Sequence, residues 1–169
     1  YFAATDGDHP VSLWKTNGTG AGTSEVYSVS PSDMTVLNGA LIFNGYTGDV
    51  ELWKSDGTSE GTAVLKNISQ NYDSYPGSMT GFVLFNNEVY FDVANTASNT
   101  PPEACELWKT NGTPEGTVAV KPGTTLEPGE ELGVCGSFLY FPVMVWVTDH
   151  YVYELWKSDG TPDGTVKLP

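Results

Sequence analysis

Arginine is absent from this chain and lysine is scarce. Seven basic residues stand against 21 Asp and Glu, for a net charge of −14 over 169 residues. So acidic a chain is a poor ligand for nucleic acid, where Lys and Arg must displace phosphate counterions. It likewise lacks the polybasic patch that holds a protein to an anionic membrane. Without arginine there is no bidentate clamp for carboxylates. Long apolar runs are missing too. The longest, Phe138 to Val147, contains Pro142, reads as a strand and falls short of the roughly 20 residues of a membrane helix. The chain opens on Tyr1-Phe2 with no Met, charged leader or signal-like stretch, so it reads as soluble and as processed or excised from something longer. With 19 Gly and 11 Pro, turns are favoured over long helices.

Cysteine is limited to Cys105 and Cys135. They are a candidate disulfide, closing a loop of about 30 residues and contributing about 3 kcal/mol in the chain-entropy model; two unrelated buried thiols are the other reading. Three Asn-x-Ser/Thr sequons begin at Asn17, Asn67 and Asn111. They make the chain a candidate glycoprotein of an oxidising, extracellular compartment.

What the chain has in abundance is repetition. Ser12-Leu13-Trp14-Lys15-Thr16-Asn17-Gly18-Thr19 is followed by Gly22-Thr23, and Glu51-Leu52-Trp53-Lys54-Ser55-Asp56-Gly57-Thr58 by Gly61-Thr62. Glu106-Leu107-Trp108-Lys109-Thr110-Asn111-Gly112-Thr113 leads to Gly116-Thr117, and Glu154-Leu155-Trp156-Lys157-Ser158-Asp159-Gly160-Thr161 to Gly164-Thr165. A Phe-terminated aromatic run precedes each copy, at Phe2, Phe43, Phe91 and Phe141. The tryptophans recur about every 40–55 residues, the period of propeller blades. Length varies between the Phe and the Trp, so variation sits in loops, the longest holding Asn99-Thr100-Pro101-Pro102.

Each short β-branched and aromatic run reads as a strand. One unit is predicted to hold four: Met34–Leu37, a turn at Asn38-Gly39, Ala40–Gly45, then Glu51–Lys54 and Ala63–Ile68. The Asp-Gly or Asn-Gly after each Leu-Trp-Lys run, with its glycine at 18, 57, 112 or 160, is expected to supply the positive φ of a tight hairpin. Symmetric pairing about that loop sets Trp53 opposite Val64, Glu51 opposite Lys66 and Glu106 opposite Lys121. The first copy has Ser12 and Tyr27 there, so both charges are lost together, as a cross-strand ion pair requires. Lys15, Lys54, Lys109 and Lys157 share one repeat position and Lys66 and Lys121 another; lysine is mostly scaffold.

The motif Glu-Leu-Trp-Lys-Ser/Thr-Asp/Asn-Gly-Thr resembles that of the ELWxxDGT repeat proteins, and the resemblance covers nearly the whole chain. It departs at Ser12 and at Asn17 and Asn111. It implies a large secreted or surface-associated protein with a β-propeller-like array. The family's repeat carries no established catalytic residues, so the resemblance bears on architecture rather than activity.

The fold is therefore expected to be all-β, of four-stranded antiparallel propeller-type blades at about residues 1–30, 31–70, 77–122 and 130–169 of a single repeat domain. The strands begin at the second of the first blade, so a larger propeller or array is preferred over four-bladed closure or an open stack. Trp14, Trp53, Trp108 and Trp156 are sugar-stacking candidates, but a fixed aromatic in every unit reads first as packing between blades. Trp146, outside the repeat, is the better contact candidate. Asp56 and Asp159 are weak calcium candidates, since such sites take six to eight oxygens; a side-chain-capped turn is preferred, and no cofactor or metal is expected. The turns resemble sialidase Asp-boxes, but those enzymes depend on an arginine cluster. His9 and His150 lack zinc-site partners. Glu127, Glu130, Glu131, Asp6 and Asp8 form acidic stretches that read as solvated faces. The expected function is a non-catalytic extracellular or cell-surface scaffold or adhesion module, with protein partners, self-assembly or glycans on its loops and neither nucleic acid nor membrane insertion. A lectin-like propeller and a carboxylate-based glycoside hydrolase fragment are the alternatives.

Overall fold

A computed structural model of the chain describes residues 1–47, 49–68, 79–95, 104–121 and 132–169, without the side chains of Val50, Ala94, Asn95, Ala104, Cys105 and Trp146. The Asn99–Pro102 loop, Ser69 of the second sequon and Glu127, Glu130 and Glu131 lie outside the described residues, as does the Trp146 side chain.

Among the described residues the structure is all-β, in four antiparallel sheets whose strands pair in chain order. The first holds β1 (Phe2–Ala4), β2 (Ser12–Lys15) and β3 (Ser24–Tyr27). The second holds β4 (Ser30–Leu37), β5 (Ala40–Tyr46), β6 (Val50–Ser55) and β7 (Ala63–Asn67). The third runs through β8 (Met79–Phe85), β9 (Glu88–Asn95), β10 (Ala104–Thr110) and β11 (Val118–Ala119). The fourth comprises β12 (Gly133–Cys135), β13 (Phe138–Val147), β14 (His150–Ser158) and β15 (Val166–Lys167).

Local chemistry sets these hairpins. Asn38 and Gly39 between β4 and β5 have φ of 52° and 81°, and Asn86 and Asn87 between β8 and β9 have 49° and 61°. Two successive positive φ angles give a turn whose twist matches that of the strands it joins, and Asn and Gly adopt them at least cost. The connection after each Leu-Trp-Lys run differs from expectation. It spans Ser55 to Thr62 in the second unit, and only its glycine takes positive φ, 90° at Gly57. It is a wide loop closed by side chains, described below.

Register also departs from symmetry. Trp53 does face Val64, but a bulge between Leu52 and Trp53 slips the pairing so that Leu52 faces Lys66 and Glu51 faces Asn67. One extra residue on a strand shifts everything beyond it. The expected Glu51–Lys66 pair is therefore not formed, and Lys66 reaches elsewhere.

Hydrophobic cores lie between sheets. Leu13 and Val26 of the first pack with Leu41, Phe43 and Trp53 of the second. Leu37, Ile42 and Leu52 of the second meet Met79, Val89, Phe91 and Trp108 of the third. Phe85, Tyr90, Leu107 and Val120 of the third meet Leu139, Phe141 and Val143 of the fourth, with Trp156 against them. Each fully buried Leu, Phe or Val contributes about 1.5–3 kcal/mol relative to exposure, and each cluster draws its residues from two neighbouring sheets. Leu52 is fully buried at such a junction. Its truncation to Ala is expected to cost about 2–5 kcal/mol, read as a lower midpoint in chemical denaturation.

Candidate functional site

The functional groups that recur four times gather in the wide loops. In the second unit, the Thr58 backbone N–H and hydroxyl both donate to Asp56 Oδ1, at 2.8 and 2.7 Å. The Thr58 oxygen in turn accepts from the Gly61 N–H at 3.0 Å. Thr62 donates its hydroxyl proton to the Thr58 carbonyl, so in the 2.7 Å contact between Ser55 and Thr62 the donor is Ser55. Ser55 Oγ accepts from the Gly57 N–H. Every hydroxyl of Ser-Asp-Gly-Thr-x-x-Gly-Thr is thereby used within the loop.

The glycines follow from the same geometry. A Cβ on Gly61 would lie 2.1 Å from Asp56 Oδ1, and its counterparts at Gly22, Gly116 and Gly164 would meet Asn17, Asn111 and Asp159 just as closely. Asn17 and Asn111 place Oδ1 as Asp does, each accepting from the N–H and hydroxyl of Thr19 or Thr113. The loop needs one acceptor oxygen rather than a charge, which is why Asp and Asn interchange. Among the described residues no group of three or more His, Cys, Asp or Glu is placed to hold a metal ion.

Lysines latch the loops of the second, third and fourth units to the preceding sheet. Lys15 Nζ donates to the Gly57 carbonyl at 2.7 Å, Lys54 to that of Gly112 at 3.1 Å and Lys109 to that of Gly160 at 3.3 Å. A second latch runs from Lys66 to the Thr117 carbonyl and from Lys121 to that of Thr165, each at 2.7 Å. Those two ammoniums also stand 6.0 and 5.5 Å from the centroids of Trp108 and Trp156, within cation–π range. Tyr27 takes this place in the first unit, its ring 5.6 Å from that of Trp53. The joint change to Ser12 and Tyr27 thus replaces a cation over the next tryptophan with an aromatic ring. Carboxylate pairing by lysine is confined, among the described residues, to Lys109–Glu88 at 3.0 Å and Lys167–Glu154 at 2.7 Å.

Other sequence candidates are scattered. Trp53 and Trp108 are buried between sheets, while Trp14 and Trp156 are half-buried. Asn17 and Asn111 are exposed at the loops, and Asn67 is half-buried at the end of β7. Cys135 is a free, exposed thiol on β12, so the expected bridge to Cys105 is not formed. β10 and β12 belong to different sheets, a separation that sequence spacing does not reveal. Asp6 accepts from the His9 ring and from the Asp8 and His9 N–H groups, a closed and exposed local turn. The His150 Nδ1 lies 2.8 Å from Oδ1 of its neighbour Asp149 on the exposed β13–β14 turn. A shallow cleft of about 370 Å³, which the sequence did not signal, is lined by Glu25, Val26, Tyr27, Ser28 and Ser59 where the first two units meet. It offers a carboxylate, hydroxyls and a tyrosine ring without a nucleophile–base pair.

Comparison of the chain with protein-family models, with curated proteins and with solved structures found no match.

Two predictions follow from the loop chemistry. Thr117 is buried while its first-unit counterpart Thr23 is half-exposed. Thr117→Val removes the donor to the Thr113 carbonyl and the acceptor for Thr110, and should cost about 1–3 kcal/mol for buried polar groups left unsatisfied. Thr23→Val should cost less than about 1 kcal/mol because water reaches that loop; equal denaturation shifts would refute the network's role. The second concerns acid. The Thr58 and Thr161 hydroxyls, then their backbone N–H groups, hold Asp56 and Asp159 below the usual carboxylate value of 3.8. That stabilisation is fully present above 3.8 and is lost as pH falls through the lower folded-state values. A doubly substituted D56N/D159N chain should lose stability less steeply below about pH 4, measured by thermal melts from pH 6 to 2; superimposable profiles would sink the assignment.

Proposed function

We propose that this chain is a non-catalytic scaffold or adhesion module of an extracellular or cell-surface setting, a propeller-type array of ELWxxDGT-like units that presents its loops to protein or glycan partners. One observation carries the reading. The residues that recur in the four units are consumed by the loop networks and, in the first three units, by the latches between sheets, leaving among the described residues no repeated constellation of nucleophile, base and acid. The variable segments between the repeats are the parts free to differ in what they contact. Exposed Asn17 and Asn111 suit a glycosylated surface.

A lectin-like role is the second reading, favoured by the cleft at Tyr27. A tyrosine ring beside Glu25, Ser28 and Ser59 offers the apolar face and oxygen partners that a sugar uses.

A panel of chromogenic glycosides and esters separates scaffold from enzyme: the chain is expected to turn over none of them. Turnover abolished by a single carboxylate substitution would overturn the non-catalytic reading. Titration of the chain on a glycan array separates the other two, since a lectin should lose its sugar signal at least tenfold in Glu25→Ala, whereas a protein-binding scaffold gives no such signal.

A further inference from the structure

The second lysine latch is missing from one internal junction, and a cleft stands in its place. Between the second and third units, Lys66 Nζ donates to the Thr117 carbonyl at 2.7 Å and to that of Pro114 at 3.3 Å. Between the third and fourth, Lys121 donates to the Thr165 carbonyl at 2.7 Å. Both ammoniums stand near the tryptophan of the unit they reach. Between the first and second units the same strand position is Tyr27, whose ring packs on Trp53. The first latch is kept there, from Lys15 to the Gly57 carbonyl. Among the described residues no lysine donates to the carbonyls of Ser59 and Thr62, which correspond to those of Pro114 and Thr117.

The receiving loop is nonetheless built alike. The Thr62 N–H donates to the Ser59 carbonyl at 3.3 Å, as the Thr117 N–H does to that of Pro114. The side-chain bonds that close the two loops repeat one for one. The Ser59 and Thr62 carbonyls are thereby held in the arrangement that accepts an ammonium elsewhere in the chain. Ser59 lines the cleft of about 370 Å³ together with Val26, Tyr27 and Ser28. Its walls are β3 and the Ser55–Thr62 loop of adjoining units. Tyr27 adds an aromatic ring and Ser28 a hydroxyl, and the one charged residue lining the cleft, Glu25, is an acid. Carbonyl and hydroxyl oxygens accept the N–H donors of an ammonium, while a ring face and a carboxylate favour its charge.

We propose that this cleft takes a primary alkylammonium group from outside the chain, that of a lysine side chain on a protein partner. The ammonium would donate to the Thr62 and Ser59 carbonyls beside the Tyr27 ring. It would complete at the first junction the latch that Lys66 and Lys121 make at the other two. Charge complementarity selects the same occupant, since a chain of net charge −14 draws a cation to its surface and repels an anion. The proposal gives a partner chemistry to the scaffold function proposed above, and rests on that reading only for the protein source of the lysine.

Heteronuclear NMR of the whole chain tests it, following amide shifts on titration with Nα-acetyl-lysine methylamide. Saturable shifts are expected at Tyr27, Ser28, Ser59 and Thr62. The Nε-acetylated form of the probe, which lacks the charge, should bind at least tenfold more weakly. Tyr27→Lys supplies the ammonium from within and should weaken binding at least tenfold. The charge-matched Leu84→Lys, at an exposed position on β8, should leave it unchanged. Equal binding of the acetylated probe, equal loss in Leu84→Lys, or shifts confined to other residues would overturn the site. The acetylated comparison needs no variant, so it decides even where Tyr27→Lys fails to fold. Acetyl-trilysine amide and spermidine carry equal charge and separate the sources. Tighter binding of the peptide supports a protein partner, whereas tighter binding of spermidine overturns that source in favour of a free polyamine. Absence of shifts with every amine, beside a sugar signal lost in Glu25→Ala, would sink the ammonium site and leave the cleft to the lectin reading. Absence of shifts in a chain that still binds protein through other loops would sink it and leave the scaffold reading standing.

Discussion

A sheet of three or four short strands cannot bury its own apolar side chains, because each has two faces and no layer of its own to cover them. Everything in this chain follows from giving that covering task to the adjacent unit. The motif leucine of one sheet is sealed by the tryptophan and phenylalanine of the next, so each core cluster belongs to a pair. Stability in such an array is a sum of junctions rather than of independent domains. The tryptophan therefore recurs at one position and is mostly withdrawn from the surface where a ligand would find it.

The wide loops make those junctions specific. A lysine can latch only onto a carbonyl held in a fixed place, and the Ser-Asp-Gly-Thr-x-x-Gly-Thr network supplies that fixity. Asp or Asn ties down the threonine, the threonine orients the second glycine, and the paired hydroxyls of Ser55 and Thr62 close the loop. The carbonyl of the first glycine then faces the preceding unit. Sequence motif, loop and latch are one device: a change to any of the small residues would displace an acceptor that a side chain some fifty positions distant, such as Lys109 for Gly160, is built to reach.

Much of this was legible from residues alone. The four strands of a unit, the Asn38-Gly39 turn and the burial of Trp53 and Trp108 all depend on local alternation, turn chemistry and repetition. What was not legible is non-local or hinges on one residue. The bulge beside Trp53 leaves no mark in composition, yet it turned an expected Glu51–Lys66 pair into a Leu52–Lys66 register. Lys66 and Lys121 were correctly seen as structural, but their partners are carbonyls of the following unit, which no pairing within a hairpin can indicate. Cys105 and Cys135 have a spacing that permits a bridge, whereas their strands belong to different sheets. The cleft beside Tyr27 arises only where two units meet.

The use of lysine also gives the charge of −14 a physical meaning. Lys15, Lys54, Lys66 and Lys121 donate to neutral carbonyls, so they hold sheets together without masking any carboxylate by direct pairing. The acidic excess is left to act over a distance, and the acidic units of the chain repel one another. A junction that must form against such repulsion cannot rely on attraction between net charges. It needs apolar contact and short ammonium-to-carbonyl bonds, which act at close range and survive the salt that screens repulsion within about 10 Å at 0.1 M. Leu-to-Trp packing with a lysine latch meets that requirement, and it joins the units inside the chain, where the same acidic neighbours must be brought together.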